Sequence, residues 1–220
     1  DEENGYLSNW YMSQLHVNGI GFSSMEQYMM YKKAVCFRDD VIAEKILETD
    51  EVGTIKELGR MVAGYNENYW NGIRQIVVYE GLIAKFSQND KLREGLLHTK
   101  DQILAECAVK DQIWGIGLSM KDENRFDLDK WKGQNLLGYA LMMAREQFRL
   151  EKDMASSKEY LTFILEQLSD LEGISYRAMM SEYIIYYREK IVGGIYDDKG
   201  NNKGKLTCDK LSVFKGLRGI

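Results

Sequence analysis

Apolar residues recur every three to four positions along most of the N-terminal part of the chain. This spacing places them on one face of an α-helix, which can then be buried against a core. The first helix is expected to open within residues 22–26, where serine, at Ser23 or Ser24, can cap its free N–H groups. Further helices are predicted over residues 39–49, 51–59, 69–86 and 90–97, and after Asn135.

Two short stretches have the character of β-structure. Residues 6–21 carry apolar residues on both sides of Asn18-Gly19, a dipeptide typical of tight turns, so a short hairpin or an extended segment is expected there. Residues 103–109 are apolar except for Glu106, and they predict a strand. A buried carboxylate is costly unless it is paired. Glu106 is therefore either an edge residue or a functional one.

The pattern changes after Arg149, where residues 151–158 are polar or small and predict a linker. An amphipathic helix is predicted over residues 160–171, with Gly173 ending it, and a hairpin over residues 183–196 around Arg188-Glu189. The expected fold class is mainly α with small β elements (α+β). We expect a first domain at 1–150, a second at 158–198, and a low-order tail at 199–220.

Composition narrows the possible functions. The 220 residues are 45% hydrophobic and 29% charged, as is usual for a globular protein, and no apolar run is long enough to predict a membrane segment. Three widely spaced cysteines favour a reducing, cytoplasmic location, and two separated histidines argue against a metal centre. A net charge of −5 argues against a broad surface for duplex nucleic acid but permits a basic pocket for one phosphorylated ligand.

Candidate chemistry concentrates in two places. Glu26, Met30 and Lys33 follow an i, i+4, i+7 line, so one helix face presents an acid and an amine, although an exposed ion pair is the commoner outcome. The second place is residues 111–145. There Asp111, Trp114, Gly115 and Gly117 form a run unsuited to a regular helix, and Asn135 falls near a helix start, where it can cap the helix or face an anion. Taken alone, a capped core helix behind a loop is favoured there.

A series of short motifs runs in order through residues 5 to 147. They are Leu7-Ser8-Asn9-Trp10, Ser24-Met25-Glu26-Gln27-Tyr28 with Lys33, Gly59-Arg60-Met61, Trp70, Ala84-Lys85-Phe86, Glu106 with Asp111 and Trp114-Gly115, and Trp131 through Arg145. No single motif is specific, but together they resemble the NADAR (YbiA-like) family.

A second resemblance covers the C-terminal part of the chain. It rests on Gln167-Leu168 to Gly173, Tyr176-Arg177-Ala178-Met179-Met180, Glu182-Tyr183 and Val192-Gly193-Gly194-Ile195-Tyr196-Asp197-Asp198. These residues resemble the N-terminal domain of TfoX/Sxy proteins, although the chain departs from that pattern from Lys199 onward. The resemblance identifies no protein partner.

The NADAR resemblance implies an N-glycosidase. Members hydrolyse phosphorylated ribosylamino-pyrimidine intermediates of riboflavin synthesis or remove ADP-ribose from modified guanine. The implied partner is therefore a small phosphorylated nucleotide-derived substrate or ADP-ribosylated guanine in nucleic acid, with no metal or other cofactor. Breaking a ribose C1′–N bond develops positive charge at C1′, so a carboxylate stabilises the transition state and a proton must reach the departing nitrogen.

The resemblance also implies roles for individual residues. Glu26 and Asp111 are the expected catalytic acids, and Lys33 either binds phosphate or forms a Schiff base at C1′. Trp114 and Tyr28 are candidates to stack on the base, with a core role equally open, and Asn135 would hold ribose or phosphate. The remaining expected substrate-binding residues come from the same motifs: Trp10, Glu106, Gly115 and Gly138.

Two other interpretations stay open. The chain could be a non-catalytic module that binds ADP-ribose or NAD-type ligands, with a C-terminal domain that recruits a partner. Alternatively, the acids could be surface pairs with a purely structural role.

Overall fold

The computed structural model describes residues 4–179, 182–197 and 204–207. The chain divides into two compact units, residues 1–147 and residues 148–220. The described residues contain helices and two small antiparallel sheets, joined by loops, and this confirms the α+β class. Among them, no helix is both long and apolar enough to cross a membrane.

The first unit opens with the predicted hairpin. Strands β1 (Met12–Val17) and β2 (Ile20–Ser24) pair antiparallel, with Leu15 opposite Phe22. The turn residues Asn18 and Gly19 have φ of 52° and 81°. Both values lie in the left-handed region that two-residue hairpin turns require, which explains the Asn-Gly sequence.

The helices follow in the predicted order. They are α1 (Met25–Cys36), α2 (Asp40–Leu47), α3 (Val52–Arg60), α4 (Glu67–Ser87) and α5 (Asp90–His98). Side chains cap the helix starts: Ser24 accepts from the Gln27 N–H, and Asn66 accepts from the Tyr69 N–H. Helix α1 packs against α2, α3 and α4, so its residues reach the centre of the unit.

The predicted strand at residues 103–109 is wrong, because this stretch forms no ladder with another strand. Its backbone is satisfied by loop and side-chain partners instead. The Glu106 N–H donates to Asn135 Oδ1 at 3.1 Å, and the Glu106 carbonyl accepts from the Ile116 N–H at 2.8 Å. An apolar run becomes a strand only where a sheet edge is available to pair with it.

Two short 3-10 helices follow, Glu123–Phe126 and Leu128–Lys130. Helix α6 (Leu136–Gln167) then runs without interruption through the predicted linker at residues 151–158. Polar and small residues do not stop a helix when none of them is proline or glycine.

The second unit consists of the end of α6 and a sheet. Its strands are β3 (Ile174–Met179), β4 (Glu182–Tyr187), β5 (Lys190–Asp197) and β6 (Gly204–Thr207), in the order β3-β4-β5-β6. The predicted hairpin is β4–β5, with its turn at Arg188 and Glu189. Strand β6 falls in the predicted low-order tail, whose other residues lie outside the described ones. The core of this unit is Leu161, Ile164, Leu168 and Ile185.

Candidate active site

The first turn of α1 presents a buried acid to a cavity of about 230 Å³. Glu26 is only 3% exposed, and its backbone N–H donates to the Asn9 carbonyl at 2.9 Å. Met30 and Lys33, on the same helix face, line the same cavity. The i, i+4, i+7 line therefore points inward and not toward solvent.

Three carboxylates meet at this cavity: Glu26, Glu106 and Asp111. Burial raises the pKa of Glu26 to about 7, the Lys56 ammonium opposes the rise, and the charges of Glu106 and Asp111 add to it. A hydrogen bond from the Trp10 side chain favours the ionised form of Glu26. Burial also raises the pKa of Glu106, with the charge of Asp111 adding and Lys56 opposing. Burial and neighbouring negative charge therefore both favour the protonated forms of Glu26 and Glu106.

A tight loop holds Asp111 in place. Its Oδ1 accepts from the N–H groups of Ile113 (3.0 Å) and Trp114 (2.8 Å), so one face of the carboxylate is fixed. Gly115 does not line the cavity. A Cβ there would stand 2.8 Å from the Glu106 carbonyl oxygen and 3.0 Å from that of Asp111, so this glycine lets the loops of two acids pack together.

Asn135 lies behind the cavity and not in it, contrary to the prediction that it binds ligand. It is fully buried with φ of 53°, and both ends of its amide are occupied. Its Nδ2 donates to the Leu104 carbonyl at 2.8 Å while its Oδ1 accepts from Glu106 N–H. Asn135 is therefore a positioning residue for the Glu106 loop.

Gly138, predicted to bind substrate, does not line the cavity and packs against the Glu106 loop. A Cβ at Gly138 would lie 2.1 Å from the Leu104 carbonyl oxygen. The first turn of α6 can approach the Glu106 loop only because this side chain is absent.

Tyr28 is placed in the core, which contradicts a role in stacking on the base. It is 0% exposed, packs edge-on against Phe22 with ring centroids 5.3 Å apart, and fills the space beside Gly81. Residues two apart on a helix project to different faces. Once Glu26 faces the cavity, Tyr28 cannot.

The same cavity also has four cationic side chains. Lys33, Lys56, Arg60 and Arg74 all line it. Lys33 Nζ donates to the Gly59 carbonyl at 2.7 Å and lies 4.3 Å from the centre of the Tyr65 ring. Burial lowers the pKa of Lys33, and the nearby Arg60 charge lowers it further.

Three of these cations were not predicted as site residues. The spacing of Lys56 and Arg60, four residues apart on α3, is a signal that could have been followed, because it puts both on one helix face. Arg74 lies alone on a long amphipathic helix, and no local pattern distinguishes it.

Aromatic rings complete the wall. Trp10 is 48% exposed, and Lys56 Nζ lies 5.2 Å from the centre of its ring. Arg74 Cζ lies 5.9 Å from the centre of the Trp114 ring. Both rings line the cavity and could contact a planar group of a ligand.

A larger cavity of about 600 Å³ also touches Glu106. Its lining is mainly apolar, and its charged side chains are Glu106 and Arg125. The smaller cavity is the better candidate for chemistry because it joins three acids to four cations. Among the described residues, no group of three or more His, Cys, Asp or Glu side chains is arranged to hold a metal ion.

A buried acid, two half-buried acids and four cations in one cavity suit acid–base chemistry on a small anionic molecule. Comparison with known proteins gives the family. Residues 1–149 match the NADAR domain, and the chain belongs to that family.

Three relatives show how far the similarity extends. An N-glycosidase of Acanthamoeba polyphaga mimivirus is 39% identical over 146 residues, which are 64% of this chain and 86% of the relative. The N-glycosidase YbiA of Escherichia coli is 30% identical over 151 residues, 69% of this chain and 86% of the relative. A riboflavin biosynthesis protein of Vibrio vulnificus is 32% identical over 149 residues, 68% of this chain and 37% of the relative.

The NMR structure of YbiA from Escherichia coli has a TM-score of 0.56 and 30% identity to this chain, covering 67% of this chain and 80% of YbiA. The names of these relatives support the N-glycosidase activity predicted from the sequence.

Proposed function

We propose that the first unit is an N-glycosidase that hydrolyses the ribose C1′–N bond of a phosphorylated nucleotide derivative. The observation that carries this proposal is the meeting of Glu26, Glu106 and Asp111 in one cavity that four cations also line. The acids suit the charge that develops at C1′, and the cations suit a phosphate. The N-glycosidase names of the relatives agree with it.

In this proposal, Glu26 handles the proton. Because its pKa is raised to about 7, the carboxyl is protonated in part of the molecules at neutral pH and can donate to the departing nitrogen. The C1′–N electron pair leaves with that nitrogen. The Asp111 carboxylate stabilises the positive charge at C1′, and water then attacks C1′ and returns a proton to Glu26.

Lys33 has two possible roles. Its lowered pKa would suit a nucleophile that forms a Schiff base with the opened sugar, whereas its place beside Arg60 suits a phosphate ligand. Borohydride trapping separates the roles, because a Schiff base is reduced to a stable adduct. An adduct that forms equally well in Lys33→Ala would rule out Lys33 as the nucleophile.

The decisive experiment is a hydrolysis assay with both substrate classes. A ribosylamino-pyrimidine phosphate should release ribose 5-phosphate, and ADP-ribosylated guanine should release ADP-ribose. Glu26→Gln should lower the rate by about 10²- to 10⁴-fold, the usual contribution of a general acid. Glu44→Gln, an exposed glutamate on α2, is the matched control and should keep the wild-type rate. Equal rates for Glu26→Gln and wild type would refute the proposed role.

The second candidate function is ligand binding without hydrolysis. Four cations line a cavity of only about 230 Å³, and this density of positive charge favours the binding of an anionic ligand. This second function predicts that ADP-ribose or NAD-type ligands raise the melting temperature while neither substrate is cleaved by the wild type.

We propose further that the second unit is TfoX-like and recruits a protein partner. Support comes from the residues that carry the resemblance. Those in the described part of the chain lie at the end of α6, in the turn after it and in β3, β4 and β5, whereas Met180 and Asp198 lie outside the described residues. The free thiols of Cys36 and Cys107 support a reducing, cytoplasmic location.

A further inference from the structure

Arg74 is a buried cation that forms no ion pair with a carboxylate in the described part of the chain, although three acids line the same cavity. Its side chain belongs to α4, is 7% exposed and lines the cavity of the acids. Its Nε is buried without a hydrogen-bond partner among the described residues. The ion pairs found in that part of the chain, Arg93–Asp90 and Lys130–Asp127, do not include it.

The other buried cations of this unit, Lys85 and Arg145, and the half-buried Lys33 donate hydrogen bonds to acceptors of the protein. Arg145 Nη1 donates to Thr99 Oγ1 at 2.7 Å and to the Gln102 carbonyl at 2.9 Å. Lys33 Nζ donates to the Gly59 carbonyl at 2.7 Å, and Lys85 Nζ donates to the carbonyls of Tyr6 (2.6 Å) and Ser8 (3.1 Å). A guanidinium cannot lose its charge at physiological pH, so Arg74 must either bear the cost of burial or receive an anion from a ligand.

A second polar atom of the same cavity also lacks a partner. Asn9 is 5% exposed, and its Oδ1 is buried with no hydrogen bond within the described residues. The Asn9 backbone carbonyl accepts the Glu26 N–H, so Asn9 is a direct neighbour of the proposed catalytic acid, and both residues line the cavity. An amide oxygen accepts hydrogen bonds, and so it suits a hydroxyl group.

We propose that Arg74 binds the phosphate of the substrate and that Asn9 Oδ1 accepts a hydrogen bond from a ribose hydroxyl. The inference rests on the proposed function and adds the orientation of the sugar: hydroxyl toward Asn9 and Glu26, phosphate toward Arg74 and Trp114. Two unsatisfied atoms, one donor and one acceptor, match the two polar ends of a ribose phosphate.

The test is calorimetric binding of two probes, ribose 5-phosphate and ribose. Arg74→Gln should lower the affinity for ribose 5-phosphate by about 10- to 100-fold, as expected for a lost hydrogen bond to a charged group, and leave the affinity for ribose unchanged. Asn9→Ala should lower the affinity for both probes alike, by roughly 5-fold, because one neutral hydrogen bond is lost. Arg93→Gln, at the surface of α5, is the matched control for loss of one positive charge.

Thermal melting of the ligand-free variants separates binding from a structural role. Removing an unpaired buried charge should leave the melting temperature of Arg74→Gln equal to that of wild type or above it. A lower melting temperature, or an unchanged preference for ribose 5-phosphate over ribose, would overturn the inference. Arg74→Lys is a second variant: it keeps the charge but loses the paired N–H donors, and its affinity for ribose 5-phosphate should fall between that of Arg74→Gln and that of wild type.

The result is independent of catalysis. If the wild type hydrolyses substrate and Arg74→Gln keeps the phosphate preference, the inference fails and the glycosidase stands. If the wild type does not hydrolyse substrate but its preference for ribose 5-phosphate over ribose depends on Arg74, the inference holds and the glycosidase proposal fails.

Discussion

Glu26→Gln should make the protein more stable at alkaline pH while removing its activity. The carboxyl is 3% exposed, and its pKa rises from the ordinary 4.5 to about 7 in the folded state. The folded protein therefore holds this proton more tightly than the unfolded chain does. The penalty for ionising Glu26 is absent below about pH 4.5, grows as the pH rises, and is complete above about pH 7.

The size of the penalty follows from the two pKa values. At about 1.4 kcal/mol for each pH unit, the rise from 4.5 to about 7 corresponds to about 3 kcal/mol of lost stability at pH 8. Glutamine keeps the shape of the side chain and never ionises. It should restore about 3 kcal/mol at pH 8 and nothing at pH 4.5, apart from a constant difference due to the hydrogen bond from Trp10.

The assay is urea unfolding of wild type and variant at pH 4.5 and pH 8, which gives the free energy of unfolding. Subtracting the variant's gain at pH 4.5 from its gain at pH 8 cancels every pH-independent effect. Glu44→Gln, the exposed control, should show no such difference. A Glu26→Gln gain that is the same at both pH values would refute the claim that Glu26 is a buried acid with a raised pKa.

Three further predictions concern the support of the site and its proton. Asn135→Ala should destabilise the fold by about 3 kcal/mol, because the Leu104 carbonyl and the Glu106 N–H lose their hydrogen bonds to this side chain. The variant should also slow hydrolysis, and a urea unfolding midpoint equal to that of wild type would contradict the prediction. Gly138→Ala should cost about 1–3 kcal/mol, measured in the same way, since its Cβ would overlap the Leu104 carbonyl; an unchanged stability would mean that α6 can shift. In a pH profile of kcat/KM, the rate should fall as the pH rises through about 7, where Glu26 loses its proton, and a rate that keeps rising through pH 8 would exclude it as the general acid.

Local signals in the sequence were sufficient for most of the helices and the two hairpins. Asn18-Gly19 supplies the positive φ values of a tight turn, and Ser24 provides the cap that starts α1. Local signals failed at residues 103–109 and 151–158. Whether an apolar stretch finds a strand partner, or a polar stretch stays helical, depends on its surroundings in the folded chain.

The site divides in the same way. Sequence alone put Glu26 and Lys33 on one helix face, because helical periodicity is a property of neighbouring residues. Only the tertiary structure joined Glu106 and Asp111 to Glu26, moved Asn135, Gly138 and Tyr28 out of the cavity, and added Arg74 to it. The physical reason is that burial and charge proximity, which raise the pKa of Glu26, are created by segments that lie far apart in sequence and meet only when the chain packs.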